Sequence, residues 1–114
     1  MSHLARSWGA RVAVAGSSME PTLRDGDWLL VDPDAYVDRR PEAGDLVLVP
    51  DPRRPDRLLV KRVSVSRADG RLHVAGDSPM ASTDSRTFGS VRHADVLGRP
   101  WFRYWPPSRL GRIA

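Results

Sequence analysis

The chain has 114 residues, with 18 basic and 14 acidic side chains and a formal net charge of +4. This length allows one domain but not two. The absence of cysteine excludes disulfides, thiol catalysis and zinc–thiolate sites. No apolar run approaches the roughly 18 residues of a membrane-spanning helix, and residues 1–10 lack the apolar region of a signal peptide. We therefore expect a soluble, cytoplasmic protein, which can still contact a membrane at its surface.

Strand signals dominate the chain. Six segments are rich in apolar or β-branched residues and are bounded by Gly, Pro or Asp. In chain order they are residues 11–15, 28–31, 45–49, 58–65, 71–75 and 100–105. Helical periodicity is nearly absent, although a single turn after Ser18 fits the sequence. The pattern predicts one compact all-β domain built from a coiled or barrel-like antiparallel sheet.

The segments outside these strands suggest how the chain is divided. Residues 1–10 are expected to be an N-terminal extension, and residues 11–106 the domain itself. Residues 50–56 are rich in proline and predict a loop that joins two strands. Residues 107–114 are polar and basic, and they predict a loose C-terminal tail.

Aromatic residues gather near the C-terminus, beside Arg99 and Arg103. A basic and aromatic strand of this kind can contact single-stranded nucleic acid or acidic lipid. Most of the arginines are scattered rather than clustered, so we favour an amphipathic closing strand with a charged outer face. No nucleic-acid partner is expected.

Lys61 is the only lysine among the 18 basic residues. Arginine stays protonated in proteins, whereas a desolvated lysine can lose its proton and act as a general base. Strand alternation places Leu59, Lys61 and Val63 on one face. If this face meets the core, burial would lower the pKa of Lys61 by as much as about 3–5 units. Alternatively, the lysine stem lies along the sheet and its amine reaches water. Position alone leaves both interpretations open.

The residues Gly16-Ser17-Ser18-Met19 offer such a base a nucleophile. A strand runs into this glycine, and Pro21 then stops further pairing. Ser18 would thus lie on a tight turn whose backbone N–H groups can form an oxyanion hole. An ordinary serine cap on a turn is the alternative. A Ser–His triad is disfavoured because no glycine stands at position 20. The histidine and carboxylate spacings match no familiar ligand set, so neither a metal nor another cofactor is expected.

Four segments resemble the conserved boxes of the type I signal peptidase family of Ser–Lys proteases, and they follow one another along the chain in the same order as in that family. The resemblance covers about residues 12–106. Ser18-Met19-Glu20-Pro21-Thr22-Leu23 resembles the nucleophile box S-M-x-P-T-L, and Lys61-Arg62-Val63 resembles the general-base box. Gly44-Asp45-Leu46-Val47 resembles the box G-D-[IV]-V. Residues 76–91 resemble the final box, with Gly76-Asp77-Ser78 where the family has G-D-N.

The resemblance implies a signal-peptidase type of catalytic core and a Ser–Lys mechanism. Ser18 would attack the scissile carbonyl while neutral Lys61 takes its proton, and water would hydrolyse the acyl-enzyme. Ser82 would hydrogen-bond the lysine amine, and Asp84 and Arg86 would hold the loop that carries it.

The same resemblance implies the residues that would contact substrate. Gly16, Ser17, Met19 and Leu59 would form the oxyanion hole and grip an extended peptide. Some relatives carry a serine donor at the position of Gly16. Here the oxyanion hole would therefore rely on backbone N–H groups.

The short chain, the missing anchor and the C-terminal strand resemble most the maturation proteases of nickel-type superoxide dismutase. This implies a serine endopeptidase that removes an N-terminal leader from a precursor protein, with that dismutase as substrate. Two alternatives stay open. One is a membrane-peripheral signal-peptidase-like enzyme that cleaves exported preproteins. The other is a non-catalytic β-domain that binds peptide or nucleic acid.

Overall fold

The computed structural model describes residues 10–78 and 90–113, and they form an antiparallel all-β fold. Within these residues the only helical elements are two 3-10 helices, His93–Asp95 and Pro107–Arg109. The eight strands are β1 (Ala10–Ala13), β2 (Trp28–Asp32), β3 (Leu46–Asp51), β4 (Arg54–Ser66), β5 (Arg71–Ala75), β6 (Val91–Arg92), β7 (Arg99–Trp105) and β8 (Gly111–Arg112). The predicted all-β fold is confirmed.

The strands form two four-stranded sheets, in the orders β1-β2-β7-β8 and β3-β4-β5-β6. The first part of the 13-residue β4 pairs with β3, and its last part pairs with β5 from Arg62 onward. Register shifts occur between Pro50 and Asp51 and between Val63 and Val65. Such irregularities bend strands, and the sheet curls into a half-barrel. The predicted coiled or barrel-like sheet is confirmed.

Strand β3 lies at the centre of the core. Its residues Leu46, Val47, Leu48 and Val49 are all at most 2% exposed. A continuous apolar run is typical of a strand that is covered on both faces. Val47 and Val49 pack into a cluster with β4 and β5, whereas Leu46 packs with residues that follow β1, namely Met19 and Leu23. The core therefore anchors the chain on either side of Ser18.

The expected proline-rich loop at residues 50–56 is instead a tight turn. Asp51 of β3 pairs with Arg54 of β4, so only Pro52 and Arg53 lie between the strands. The buried Asp51 carboxylate accepts the Arg53 backbone N–H at 2.9 Å and the guanidinium at 3.2 Å. This side chain closes the turn locally, an interaction that proline content does not reveal.

The chain after residue 106 is attached to the fold, in contrast to the expected loose tail. A 3-10 helix, Pro107–Arg109, leads into β8, which pairs with β7. Ile113 is 8% exposed and lies in the same core cluster as Met19 and Leu23. Elements of two or three residues carry too little periodicity to be predicted from sequence.

The two sheets meet where β3 passes the residues before β7. The Leu48 N–H donates to the Gly98 carbonyl at 3.0 Å, and the Leu97 N–H donates to the Leu48 carbonyl at 2.8 Å. A Cβ at Gly98 would lie 2.6 Å from the Asp32 carbonyl oxygen and 2.8 Å from a Val31 methyl group. The backbone of this junction therefore leaves no room for a side chain.

Replacing Gly98 with alanine should lower the free energy of unfolding by roughly 3 kcal/mol, at the upper end of overpacking effects. Chemical denaturation measures this change. Gly70→Ala is the matched control, since it has a positive φ of 86° but nothing within 4 Å of its Cβ position. The control should lose only the conformational cost of about 1–2 kcal/mol. Equal losses in the two variants would contradict the close contact at Gly98.

Candidate active site

A groove of about 270 Å³ runs between two segments that are distant in sequence. Residues 12–19 form one side, and residues 57–61 with Arg53 form the other. The structure brings six predicted site residues to this groove: Gly16, Ser17, Ser18, Met19, Leu59 and Lys61. The other three, Ser82, Asp84 and Arg86, lie outside the described residues, so their roles stay predictions.

Ser18 lies on a turn that both ends of the segment hold in place. Before it, Val14 exchanges backbone hydrogen bonds of 2.8 Å with Gly26 and Asp27. After it, the Leu23 N–H donates to the Met19 carbonyl at 2.9 Å, which is the i to i−4 bond of a single helical turn. Met19 is 2% exposed and anchors the turn in the core. The half-buried Ser18 is thereby presented to the groove.

Lys61 is the largest of the fully buried side chains among the described residues, and it is 2% exposed. Leu59 and Val63 flank it on the same face of β4 and are 9% and 1% exposed. This face therefore meets the core, which is one of the two arrangements that the sequence left open. Lys61 lies opposite Val47 in the register of β3 and β4, at the end of the groove near Ser18. The amine is thus shielded from bulk water rather than extended into it.

Gly16 differs from its expected role. Its φ is +84°, a conformation that favours glycine. Its backbone N–H donates to the Asp25 carboxylate at 2.9 Å. That hydrogen is therefore directed to Asp25 and not to the groove. The glycine sets the direction of the chain before Ser18, and the N–H groups of Ser18 and Met19 are the better candidates for an oxyanion hole.

An ion pair and the hydrogen bonds around it link all four family-like segments, and sequence reasoning missed them. Arg62, next to Lys61, donates to both oxygens of Asp77 at 2.9 and 2.8 Å and to the Gly44 carbonyl at 2.8 Å. Thr22, four residues after Ser18, donates its hydroxyl hydrogen to Asp77. The Arg62 guanidinium, followed by the Thr22 hydroxyl, holds the pKa of Asp77 below its usual value despite burial. Alternation along β4 indicates that Arg62 points away from Lys61, but no sequence signal identifies its partner.

The residue after Asp77 completes the link. The Ser78 N–H donates to the Ser18 carbonyl at 2.9 Å. The segment at residues 76–78 therefore touches the Ser18 turn through its backbone and β4 through the Asp77 carboxylate. These contacts fix the turn that carries Ser18 relative to the strand that carries Lys61.

A second buried carboxylate supports the turn from the opposite side. Asp27 is 1% exposed and accepts bonds from Arg103 at 3.2 Å and Arg109 at 2.9 Å. Arg103 also donates to the Thr22 carbonyl at 3.1 Å. Two arginines of the C-terminal segment therefore have a structural role. No group of three or more metal-ligating side chains occurs among residues 10–78 and 90–113.

Comparison with known proteins identifies the family. The sequence model described as signal peptidase, peptidase S26, matches residues 4–66, more than half of the chain. The chain belongs to the signal peptidase family, peptidase S26. It is accordingly a serine peptidase, and the expected enzyme class is confirmed.

Several proteins similar in sequence to this chain are enzymes of mitochondria or chloroplasts. The chain is 34% identical to the mitochondrial ATP-independent inner membrane protease subunit 1a of Arabidopsis thaliana, over 88% of this chain and 73% of the relative. It is 29% identical to the human mitochondrial inner membrane protease subunit 1, over 90% of this chain and 74% of the relative. It is 24% identical to thylakoidal processing peptidase 1 of Arabidopsis thaliana, over 86% of this chain and 42% of the relative.

These relatives correct two expectations. The predicted cytoplasmic location is wrong, because signal peptidase relatives named for the mitochondrial inner membrane and the thylakoid point to a membrane-associated location. Their names also give no support to the finer resemblance to maturation proteases of nickel-type superoxide dismutase. Within the described part of this S26 peptidase, no helix is long and apolar enough to span a membrane.

Replacing Asp77 with asparagine should lower the free energy of unfolding at neutral pH by about 1–2 kcal/mol, since it removes a charge-assisted pair. The pKa of Asp77 lies below the unfolded value of 3.8. Its contribution is therefore complete above that value and is lost as the pH falls through the lowered folded pKa. Urea unfolding of both proteins between pH 7 and pH 2 should show the difference shrinking in acid. Asp56→Asn, at an exposed position of β4, is the control. Parallel pH profiles for wild type and Asp77→Asn would contradict the pairing.

Proposed function

We propose that this S26 peptidase is an endopeptidase that removes an N-terminal leader from a precursor protein, with Ser18 as nucleophile and Lys61 as general base. One observation carries the proposal. The only lysine of the chain is fully buried, and it lines the same groove as the half-buried Ser18. Burial disfavours the charged form of an amine in general, which suits a group that must accept a proton.

The arrangement supports a two-step acyl transfer. Ser18 Oγ attacks the scissile carbonyl carbon, and its proton passes to Lys61 Nζ. The tetrahedral intermediate then collapses, the protonated lysine gives the proton to the leaving amine, and Ser18 stays acylated. Water attacks the ester carbonyl, and Lys61 takes a proton from it. The second tetrahedral intermediate then collapses: the lysine returns this proton to Ser18 Oγ, and the acyl group leaves as a carboxylic acid. Backbone N–H groups at Ser18 and Met19 would stabilise the oxyanion.

Two strand edges along the groove support an extended substrate. Among the described strands, β1 lies at the end of its sheet, with β2 as its neighbour there. Residues 58–61 of β4 pair with β3 on one side, and β5 pairs with the other side of β4 from Arg62 onward. Both segments line the groove. A peptide that lies between them can hydrogen-bond as an added strand.

The substrate itself is assigned only as a class. Relatives named as inner membrane proteases and thylakoidal processing peptidases fit an enzyme that processes precursor proteins. Nothing among these names favours a nickel-type superoxide dismutase precursor. The proposal is therefore leader removal, without that particular substrate.

Ser18→Ala should reduce kcat/KM for a leader peptide by roughly four orders of magnitude or more, and Lys61→Met by at least about 100-fold. Methionine fills the lysine space without a charge. Ser108→Ala removes an exposed hydroxyl that does not line the groove, and this control should stay within a few-fold of wild type. Mass spectrometry of cleavage products measures activity, and thermal unfolding checks the fold. Residual cleavage in folded Ser18→Ala would exclude the dyad. Peptide binding by wild type without any cleavage would favour the non-catalytic alternative.

A membrane-peripheral mode of action is a second candidate, and an exposed aromatic surface favours it. Trp28, Trp105 and Leu110 are 41%, 53% and 60% exposed. Trp28 lies 6.4 Å from Tyr104, between ring centroids, and the Arg11 guanidinium lies over the Tyr104 ring at 5.5 Å. Aromatic rings beside arginine are typical of surfaces that meet lipid headgroups. The membrane-associated relatives agree with this interpretation.

Wild type should bind vesicles that contain anionic lipid, with a blue shift of tryptophan emission. The double exchange Trp28→Ser and Trp105→Ser should weaken binding at least about fivefold, because it removes apolar area that would enter the interface. Vesicle sedimentation measures both proteins. Val37→Ser is the control, since Val37 is 67% exposed on another segment. Equal binding by wild type and the double variant would exclude this surface.

A further inference from the structure

The groove is unusually one-sided in charge. Three of the described residues that line it are basic, Arg53, Arg57 and Lys61, and none is acidic. Lys61 lies near Ser18, where the chemistry is proposed. Arg53 precedes β4 and Arg57 lies in its first part, whereas Lys61 lies next to Arg62, which is linked through Asp77 to the turn after Ser18. The mechanism above uses neither Arg53 nor Arg57.

The two arginines differ in whether a carboxylate of the protein is directly paired with them. Arg53 makes a bidentate pair with Asp51 at 3.2 Å, and this pairing lowers the pKa of the carboxyl group. Asp51 is fully buried and cannot turn toward the groove without leaving the core. Arg57 is exposed, and it forms no hydrogen bond or ion pair within residues 10–78 and 90–113. The charge of Arg57 helps to lower the pKa of Asp51, but its guanidinium makes no direct bond to that carboxylate and can pair with one in the groove.

Strand geometry gives the distance from this charge to the site of cleavage. Arg57 and Lys61 are four residues apart on β4 and both line the groove, with Arg57 at the register shift that precedes Leu58. At about 3.3 Å per residue, they are separated by roughly 13 Å along β4. An extended peptide beside β4 advances at the same rate. The peptide residue next to Arg57 is therefore about four residues from the bond next to Lys61.

We propose that Arg57 selects substrates with an acidic side chain about four residues from the scissile bond. This inference rests on the proposed peptidase function and adds a specificity-determining residue to it. Asp or Glu at that point of the substrate pairs with Arg57, whereas Arg53 is already paired with Asp51. Lys or Arg at the same point meets like charge and is disfavoured. Arg57 is a positioning residue, because it touches the substrate far from the reacting atoms.

Ten-residue alanine-rich peptides that carry one Glu, Gln or Lys at each position in turn would test the proposal. Fluorescence polarisation measures their binding to Ser18→Ala, and wild type is assayed for cleavage and for the bond cut. The scan covers residues on both sides of that bond. Glu should be favoured over Lys roughly two- to fivefold, as for an exposed ion pair, at one position three to five residues away. The preference should weaken as salt is raised.

Variants separate a local contact from overall charge. Arg57→Glu should reverse the preference so that the Lys peptide is favoured. Arg54→Glu changes the net charge equally at an exposed position of β4 that does not line the groove, and it should keep the wild-type preference. Equal effects of the two exchanges, or no preference at any position, would overturn the proposal.

The binding and cleavage assays also distinguish a failure of the Arg57 proposal from a failure of the proposed peptidase function. Cleavage by wild type without any charge preference would refute Arg57 selectivity and leave the peptidase function standing. A reversible charge preference in binding with no cleavage of any peptide would support Arg57 and count against the peptidase function. Absence of both binding and cleavage would count against both.

Discussion

Side-chain alternation along β4 is the constraint on which the rest of the site depends. Because neighbouring side chains point to opposite faces, the same strand buries Lys61 and turns Arg62 away from it. Arg62 then reaches Asp77 and the Gly44 carbonyl. Asp77 in turn accepts the Thr22 hydroxyl, beyond Ser18. A shift of one residue in the register of β4 would put the Arg62 guanidinium in the core and the Lys61 amine outside. The proposed base and the ion pair between Arg62 and Asp77 therefore depend on the same register.

Sequence reasoning succeeded where the signal is local and periodic. The period of two along residues 58–65 put Leu59, Lys61 and Val63 on one face, although it left open whether that face is buried, and all six predicted strands are present with ends shifted by at most a few residues. It failed where a carboxylate finds a distant partner. Neither the pair between Arg62 and Asp77 nor that between Asp27 and Arg109 follows from spacing, because both require the folded chain to bring the partners together. The cytoplasmic prediction failed for another reason, since it relied on missing features rather than on residues that are present.

The partly buried Asp77 and the buried Asp27 account for part of the arginine content. A basic chain suggests nucleic acid, yet Arg62, Arg103 and Arg109 are bound to Asp77 or Asp27. Each guanidinium can bind several acceptors in a fixed geometry, and Arg103 uses this to tie the Thr22 carbonyl to Asp27. Net charge is therefore a poor guide to the partner of this protein. The positive charge of these three arginines is used in ion pairs within the fold, around the turn that carries Ser18.

The arginines that remain exposed are informative because of where they lie. Arg11 covers Tyr104 on the aromatic surface, whereas Arg57 lines the groove. One position suits anionic headgroups and the other suits an acidic residue of a bound peptide. The aromatic surface involves β2 and β7 together with Arg11 of β1, and the charged end of the groove involves β4. Under the proposed function, a substrate with acidic residues would engage Arg57 while the aromatic surface stays on a membrane, because neither contact requires the residues of the other.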